Sequence, residues 1–425
     1  MKHQIEARTP AGRRLAALAE EHAHDFAQRA AEHDREGSFP HENIEALKRN
    51  GFIGAPAPAE LGGMGVLSVH DLMVAINRLG RGCASTAIAV NMHFDGLWAQ
   101  TRNWQDARRR SESEAEAVAG RLRAVVQAKL VVCGSVTEAG TTIVAPLTEA
   151  RRDPSRDGWI VNGRKIFGTL SPAADALGVS VRLIDGDAAP QLGMASIPKA
   201  TPGLKVMDNW DALGMRGSGS HDVLFEDCFV DASLMQSMGP WGSWPPSLLA
   251  TLGTGSACIA GAFLGIAESA REMTLESLRT RRKAPSGTLL AERPAIQHRV
   301  GELEIALETA RGILSRACAR ADDFYADHFP SDTRSEQIHA LMRELIAAKH
   351  VVTHEALRAV DTCLTLSGGA GYLSGHALSR LYRDVRAGPF MQPFSPIETF
   401  EYLGRTALGL DPDAHEGSLP KAKEG

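Results

Sequence analysis

The stretch Trp159-Ile160-Val161-Asn162-Gly163-Arg164-Lys165-Ile166-Phe167-Gly168-Thr169 carries the first decision about the fold. It opens on an aromatic and β-branched run and is then cut by Asn and Gly, residues that punctuate strands. Runs of the same kind stand on both sides of it: Val131-Val132-Cys133, Leu177-Gly178-Val179-Ser180-Val181 and Val223-Leu224-Phe225. Together they predict a small antiparallel barrel or sandwich of roughly 100 residues, within the usual size of a domain.

Outward from this block the pattern turns helical in both directions. Residues 12–31 and 41–50 carry apolar side chains at three- and four-residue spacing, and Pro40 suits the start of the second helix. Gly62-Gly63-Met64-Gly65 marks a loop. Beyond the β block, 248–280 is one long apolar-periodic segment with Ala and Gly on its buried face; 294–325 and 337–366 follow, and Gly368-Gly369-Ala370-Gly371 breaks the last. The tail 417–425 is polar and expected to be loose. The expected domains are 1–126 (helical), 127–240 (β) and 241–425 (helical), an α+β class. The order is not the alternating βαβ of a doubly wound fold. No G-x-G-x-x-G follows a predicted strand, so a Rossmann nicotinamide site has no support.

The bulk numbers narrow the function classes. A chain of 425 residues is expected to form two or three domains. Its formal charge of −5 gives no reason to expect nucleic acid or an anionic membrane as partner. Met1 to Pro10 is polar and lacks a secretory core, and no apolar run approaches the ~20 residues that span a bilayer. The six cysteines are scattered without a C-x-x-C pair, which fits reduced thiols in a cytoplasmic protein better than a disulfide framework or a zinc site. Ser218 sits in Gly217-Ser218-Gly219 but lacks the strand-turn-helix context of a nucleophile elbow.

Four segments in register resemble the acyl-CoA dehydrogenase superfamily over nearly the whole chain. They are Val136-Thr137-Glu138-Ala139-Gly140, then 162–169, then Leu213-Gly214-Met215-Arg216-Gly217-Ser218-Gly219-Ser220 followed by Val223-Leu224-Phe225-Glu226-Asp227, and Ser367-Gly368-Gly369-Ala370-Gly371-Tyr372 followed by Leu381-Tyr382-Arg383-Asp384. The resemblance implies an acyl-CoA dehydrogenase fold: a helical domain, a central antiparallel β domain and a C-terminal four-helix bundle, assembled as a homotetramer. It also implies a flavin site. Thr137 would lie at the pyrimidine edge, Phe167 would cover the ring, Thr169 would hydrogen-bond near N5, and Ser135 would also be cofactor-binding. Arg281, Thr365, Gly368 and Gly369 fall where the family grips the FAD tail. A flavin needs donors at one edge and an apolar cover on its faces, and these residue types suit it. Each has a plainer alternative: strand threonines, a core phenylalanine, a solvated basic helix end in 279–283, a simple helix terminus. Arg383-Asp384 reads best as a structural ion pair.

The sequence departs from a dehydrogenase where a carboxylate should take the substrate's α-proton. The usual position holds Gln392, and the position used by some members, on the helix opening the C-terminal domain, is about Ser256. Glu268 lies three turns further on, and Glu398 lies on another stretch. The Thr-Glu motif continues Ala139-Gly140-Thr141-Thr142-Ile143, the aromatic after Arg281 is missing, and Thr365 stands where Gln is common. This profile is similar to the two-component flavin monooxygenases, including amino-sugar N-oxygenases, as are 9–14, Asp208-Asn209-Trp210-Asp211 and 382–388. That branch implies FAD or FMN supplied reduced by a separate NAD(P)H-flavin reductase, molecular oxygen as co-substrate, a flavin C4a-hydroperoxide and a small-molecule substrate. His93, Thr169 and Gln392 are the candidate catalytic residues, His93 as donor near the distal oxygen; the alternative for His93 is a hydrogen-bonded core histidine. Two further readings stay open: an FAD-dependent acyl-CoA dehydrogenase with a relocated base such as Glu398, and a non-catalytic paralogue.

Overall fold

The structure is a computed structural model that describes residues 4–412; the start of the polar N-terminus and the tail 417–425 lie outside the described residues. Six helices come first: α1 (Pro10–Ala27), α2 (Ala30–Glu36), α3 (His41–Arg49), α4 (Val69–Gly82), α5 (Ala84–Arg110) and α6 (Glu112–Gln127). Thr9 caps α1, its hydroxyl accepting from Gly12 N at 2.9 Å with Pro10 at the first helical position. The single helix expected over 12–31 is two, because the chain turns at Gln28-Arg29. A helical period persists through such a turn, so the sequence pattern does not register it.

Eight strands follow: β1 (Val132–Ser135), β2 (Glu149–Asp153), β3 (Gly158–Gly168), β4 (Ala176–Ile184), β5 (Gln191–Pro198), β6 (Leu204–Val206), β7 (His221–Asp231) and β8 (Met235–Pro240). They form one sheet in the order β6-β7-β3-β2-β4-β5-β8, with β1 also on β4. The expected antiparallel domain is in fact mixed, because β1 and β2 both run parallel to β4. The reason is local. β1 pairs with Ala176–Val179 and β2 with Arg182–Ile184, so they are successive pieces of one interrupted strand along the same edge of β4. Between them residues 136–148 leave the sheet and return. Glu138 closes that excursion by accepting from Leu147 N at 2.6 Å and Thr148 N at 3.0 Å. Nor do Asn162 and Gly163 end their strand. β3 passes through them with a register shift, and Gly163, at φ 151°, leaves the room that Thr148 occupies. Inside the sheet Val161, Leu177, Val179, Val181, Ile197 and Phe225 make a core of their own.

The C-terminal region packs three long helices, α7 (Pro246–Thr280), α8 (Pro294–Asp327) and α9 (Ser335–Ser367), with α10 (Ala377–Val385) as the fourth and α11 (Pro396–Ala407) against α9. The Ala/Gly face of α7 packs within the chain. Gly80 of α4 lies against the Ala262 carbonyl, and Gly261 and Gly265 lie against the Met73 and Asn77 carbonyls, where any Cβ would overlap backbone. Contrary to the sequence expectation, α7 is long and apolar enough to cross a membrane by composition, but 83% of its most apolar window is buried inside the protein. All six cysteines are free and buried.

Candidate active site

The interrupted strand and the end of β3 build one open face. Thr137 bridges to β3, its carbonyl accepting from Ile166 N at 2.9 Å. The next residue on β3, Phe167, adopts a left-handed backbone (φ 54°) and leaves its ring 55% exposed, edge-on to Trp210 at 6.0 Å. Trp210 is itself fixed by its indole N–H on the Met215 carbonyl. A left-handed, non-glycine residue costs on the order of 1–3 kcal/mol and persists only where its surroundings hold it. Here it turns an aromatic face to the outside, open to a ligand.

Thr169 follows, half-buried, and its hydroxyl begins a chain: Thr169 Oγ1 to Ser220 Oγ at 2.8 Å and Ser220 Oγ to Ser218 Oγ at 2.7 Å. On β1 the Cα of Gly134 looks into open space, and Val136 and Thr137 stay partly open. An aromatic face, a glycine floor and hydroxyls at one end match the shape and polarity of an isoalloxazine, so these residues fit a flavin. Ser135 does not take the expected part. Its side chain points into the sheet, where Oγ is sealed and meets no partner. Strand alternation decides this: Gly134 and Val136 have the open side and Ser135 the closed one. Beneath the face, Glu138 and Lys165 form a buried ion pair, with Lys165 also on Ser180 Oγ at 3.2 Å. Burial lowers the Lys165 amine to about 8 while Glu138 pulls it back up.

The other expected catalytic residues lie apart. His93 of α5 is buried with both ring nitrogens engaged: Nε2 on the Ile53 carbonyl at 3.0 Å, and Nδ1 accepting from Val132 N at 3.1 Å. It is a core histidine that pins the start of β1, with no N–H left for an oxygen species, and burial holds its pKa down at about 4. Gln392 is exposed on the strap between α10 and α11, and no hydrogen bond joins it to Thr169 or His93. The strap is anchored from below by Lys349, whose amine donates to the carbonyls of Met391 and, at 2.8 Å, Phe394. Ser256 is buried and donates to the Gly253 carbonyl at 2.9 Å. Glu268 is bound to Arg311 at 2.8 Å and Asn77 at 3.1 Å. Glu398 caps α11, accepting from Ser395 N at 2.7 Å. None of the considered base positions therefore holds a free carboxylate.

The residues expected at a cofactor tail form a second group. Arg281, just past the end of α7, donates to the Ser367 carbonyl at 3.2 Å, which brings it beside Gly368. Thr365, Gly368 and Gly369 are exposed there, and the Cα atoms of both glycines face open space. The expected Arg383-Asp384 pair is not formed. Arg383 binds Asp34 of α2 at 2.8 Å, while Asp384 accepts from Met215 N at 2.6 Å. Successive helical residues point about 100° apart, which sends the two to different neighbours.

The residues at this face that the sequence reading did not single out are Gly134 and the hydroxyl chain of Ser220 with Ser218. Gly134 could have been found from strand alternation next to Thr137. The hydroxyl chain depends on a contact between positions 51 residues apart.

Comparison with known proteins bears on the whole chain. It matches the acyl-CoA dehydrogenase N-terminal domain over 10–103, the middle domain over 133–228 and the C-terminal domain over 257–394. It is 35% identical over 407 residues to the amino sugar nitrososynthase DnmZ of Streptomyces peucetius, covering 95% of each chain. It is 35% identical over 405 residues to the L-evernosamine nitrososynthase of a Micromonospora species, covering 95% of this chain and 92% of that one. Among solved structures, KijD3 in complex with FMN and dTDP-3-amino-2,3,6-trideoxy-4-keto-3-methyl-D-glucose superposes with a TM-score of 0.87 at 33% identity, over 96% of this chain and 97% of that chain. The chain belongs to the acyl-CoA dehydrogenase family, as a flavin-dependent monooxygenase of that superfamily.

Proposed function

We propose that this enzyme N-oxygenates a primary amine on a small substrate, with an amino sugar carried on a nucleotide as the leading class. The observation that carries the reading is the pairing of a retained ring face with empty base positions. Phe167, Thr137, Thr169 and Gly134 can hold a flavin, whereas Ser256 and Gln392 stand where a dehydrogenase needs a carboxylate. The nitrososynthase relatives and the FMN and amino-sugar ligands of KijD3 support the same class. FMN is the favoured flavin, because the aromatic after Arg281 that should serve an FAD tail is absent.

Reduced flavin, when bound, would activate molecular oxygen to an electrophilic form. The protein's part is to orient and to dry. Phe167, braced edge-on by Trp210, would cover the apolar ring, Thr137 would meet the polar edge, and Thr169, braced by Ser220, would offer a hydroxyl near the reacting end. Thr169 is thus the proposed catalytic hydroxyl. Gln392, with the strap, is proposed to close over the substrate. A separate NAD(P)H-flavin reductase, a homotetramer and a cytoplasmic location belong to the same proposal. Exposed apolar side chains such as Tyr372, Leu373 and Phe400 support contact with other copies, and six unpaired buried thiols support a reducing compartment.

Rapid mixing of anaerobic enzyme and reduced FMN with oxygenated buffer tests the proposal. Absorbance should return in two phases, the second far slower than reoxidation of free flavin. Single-phase return at the rate of flavin alone, with and without the amino-sugar nucleotide, would retract it. Bleaching of bound oxidised flavin by an acyl-CoA under argon would instead support the dehydrogenase reading.

A further inference from the structure

Asp95 stands out on physical grounds. Among the described residues it is the only carboxylate with a fully buried oxygen, Oδ1, that no donor meets. It projects from α5 against Gly255 of α7, and a Cβ on Gly255 would overlap its carboxyl carbon and both oxygens. One turn earlier on the same face, Asn91 donates to the Gly255 carbonyl at 3.2 Å. Two carboxamide-sized polar groups thus address α7 at the residue next to Ser256, where some members of the superfamily carry their base. The seam is not sealed along its rim: Met92, Asp95, Gly96 and Ala99 on α5, with Thr251 and Leu252 on α7, remain partly or fully open. α5 also reaches the ring face, since His93 holds the start of β1 and Ser85 lies beside Gly217, next to Ser218 of the hydroxyl chain.

A carboxyl oxygen buried without a donor, as Oδ1 is here, costs stability that an apolar group there would not. Burial pushes its pKa well above the ordinary range, with no cation to oppose the effect. The titratable groups facing it are the Cys258 thiol of α7 and the Tyr325 phenol of α8, both driven up by burial and neutral. Tyr325 is held by Thr254 at 3.2 Å and by the Ala250 carbonyl at 3.2 Å. On α5 itself His93 is neutral near pH 7, and Arg102 is drawn over the Tyr325 ring. Among the described residues no positive group answers this carboxyl, so the chemistry it suits is a cation brought in by a ligand.

We propose that Asp95 receives the protonated amine of the substrate and takes its proton before oxygenation. This rests on the amine-oxygenase reading above. As the ammonium enters, the carboxyl's own proton leaves to solvent. Then one N–H bond of the ammonium breaks and one O–H bond forms on the carboxylate. The electron pair stays on nitrogen, and nothing is oxidised or reduced in the step. The result is a free amine lone pair, which an electrophilic oxygen requires and an ammonium lacks, in a pocket that selects cationic amines over neutral sulfur or aromatic substrates.

The test compares wild type with Asp95→Asn, using reduced FMN, oxygen and dTDP-3-amino-2,3,6-trideoxy-4-keto-3-methyl-D-glucose as probe. Asp95→Asn is expected to keep the slow second phase of flavin reoxidation and to melt no lower than wild type at pH 8. Its kcat/KM for the probe should fall about a hundredfold at pH 7 and recover as pH rises toward the amine's own pKa, while wild type stays nearly flat. If the variant does not fold, Gly255→Ala, whose methyl displaces the carboxyl, should give the same loss. An unchanged pH profile in a folded variant would overturn the proposal. So would a wild type that gives the slow phase but neither binds nor oxidises the probe, or Asp95-dependent bleaching of flavin by an acyl-CoA. If wild type gives no slow phase but calorimetry still finds tighter probe binding than in the variant, the oxygenase reading falls and the ammonium site stands.

Discussion

At the scale of single residues, hydrogen bonding separates the histidine that the sequence singled out from a carboxylate beside it that the sequence did not. His93 and Asp95 lie two positions apart on α5; the first is buried, and the second is half-buried with one carboxyl oxygen sealed. His93 finds a carbonyl and an amide and serves structure; Asp95 finds nothing and is left with its chemistry. The histidine carries a stability prediction with a definite sign. Its folded pKa is about 4, below the ordinary value of 6.5, so the unfolded chain binds more protons between those limits. The stability due to neutral His93 is complete above pH 6.5 and is lost as pH falls toward 4, by about 3 kcal/mol in all. His93→Gln should be less stable than wild type at pH 7 by about 1–3 kcal/mol, from the broken link to Val132 or Ile53. Its denaturant midpoint should then fall less steeply between pH 6.5 and 4.5. Parallel acid limbs for the two proteins would show that the imidazole is not the titrating group.

Among the elements, the strap between α10 and α11 depends on one buried amine. Lys349 of α9 is nearly inaccessible and spans from its helix to two carbonyls of the strap, and burial brings its pKa down to about 7 against the pull of Glu398. Lys349→Met keeps the volume and removes both bonds, at a cost of about 2–3 kcal/mol borne by the strap. Amide exchange over 388–396 should speed up while the β-sheet amides hold their protection. Equal acceleration everywhere would mean that Lys349 supports the whole helical core instead. None of this was legible in the sequence, where Lys349 is one polar position in a long amphipathic helix. What was legible was whatever repeats locally. The period of α7, α8 and α9 fixed their ends within a few residues, and the β-branched runs located β1, β3, β4 and β7. The parallel pairing of β1 and β2 was hidden because it depends on both using one edge of β4. Of the candidate site residues, the sequence brings Thr137, Phe167 and Thr169 together because they lie on one short ladder. The Thr169–Ser220–Ser218 chain and the Asp95–Gly255 contact join positions 51 and 160 residues apart, a distance over which no periodicity reports.

Across the whole molecule, the motifs that carry the family resemblance turn out to tie its three parts together. Arg383 of α10 reaches Asp34 of α2 at 2.8 Å and the Leu213 carbonyl at 3.1 Å. Arg216 donates to the Asp34 carbonyl at 2.8 Å, and Asp384 accepts from Met215 N at 2.6 Å. One knot thus joins the first helices, the loop before β7 and the last helices. That loop continues through Ser218 and Ser220 to Thr169, so the hydroxyl of Thr169 is positioned by contacts far from it. Arg383→Ala should therefore do two things. The Arg383–Asp34 pair is only partly buried, which limits its own contribution to about 1–2 kcal/mol and predicts a modest fall in melting temperature. The freed loop should also weaken flavin binding, a loss that stability alone would not produce. Saturating FMN raises the stability of a protein that binds it by about 2.7 kcal/mol at a hundred times Kd, so melting curves with and without FMN separate the two effects. A knot that positions the site predicts a smaller FMN-induced rise in the variant at the same FMN concentration. Arg383→Lys should restore it only in part, since an ammonium cannot hold carboxylate and carbonyl with a planar fork. A variant that melts lower but gains the full increment from FMN would make the knot a clasp between domains and leave Thr169 to be held by the sheet alone.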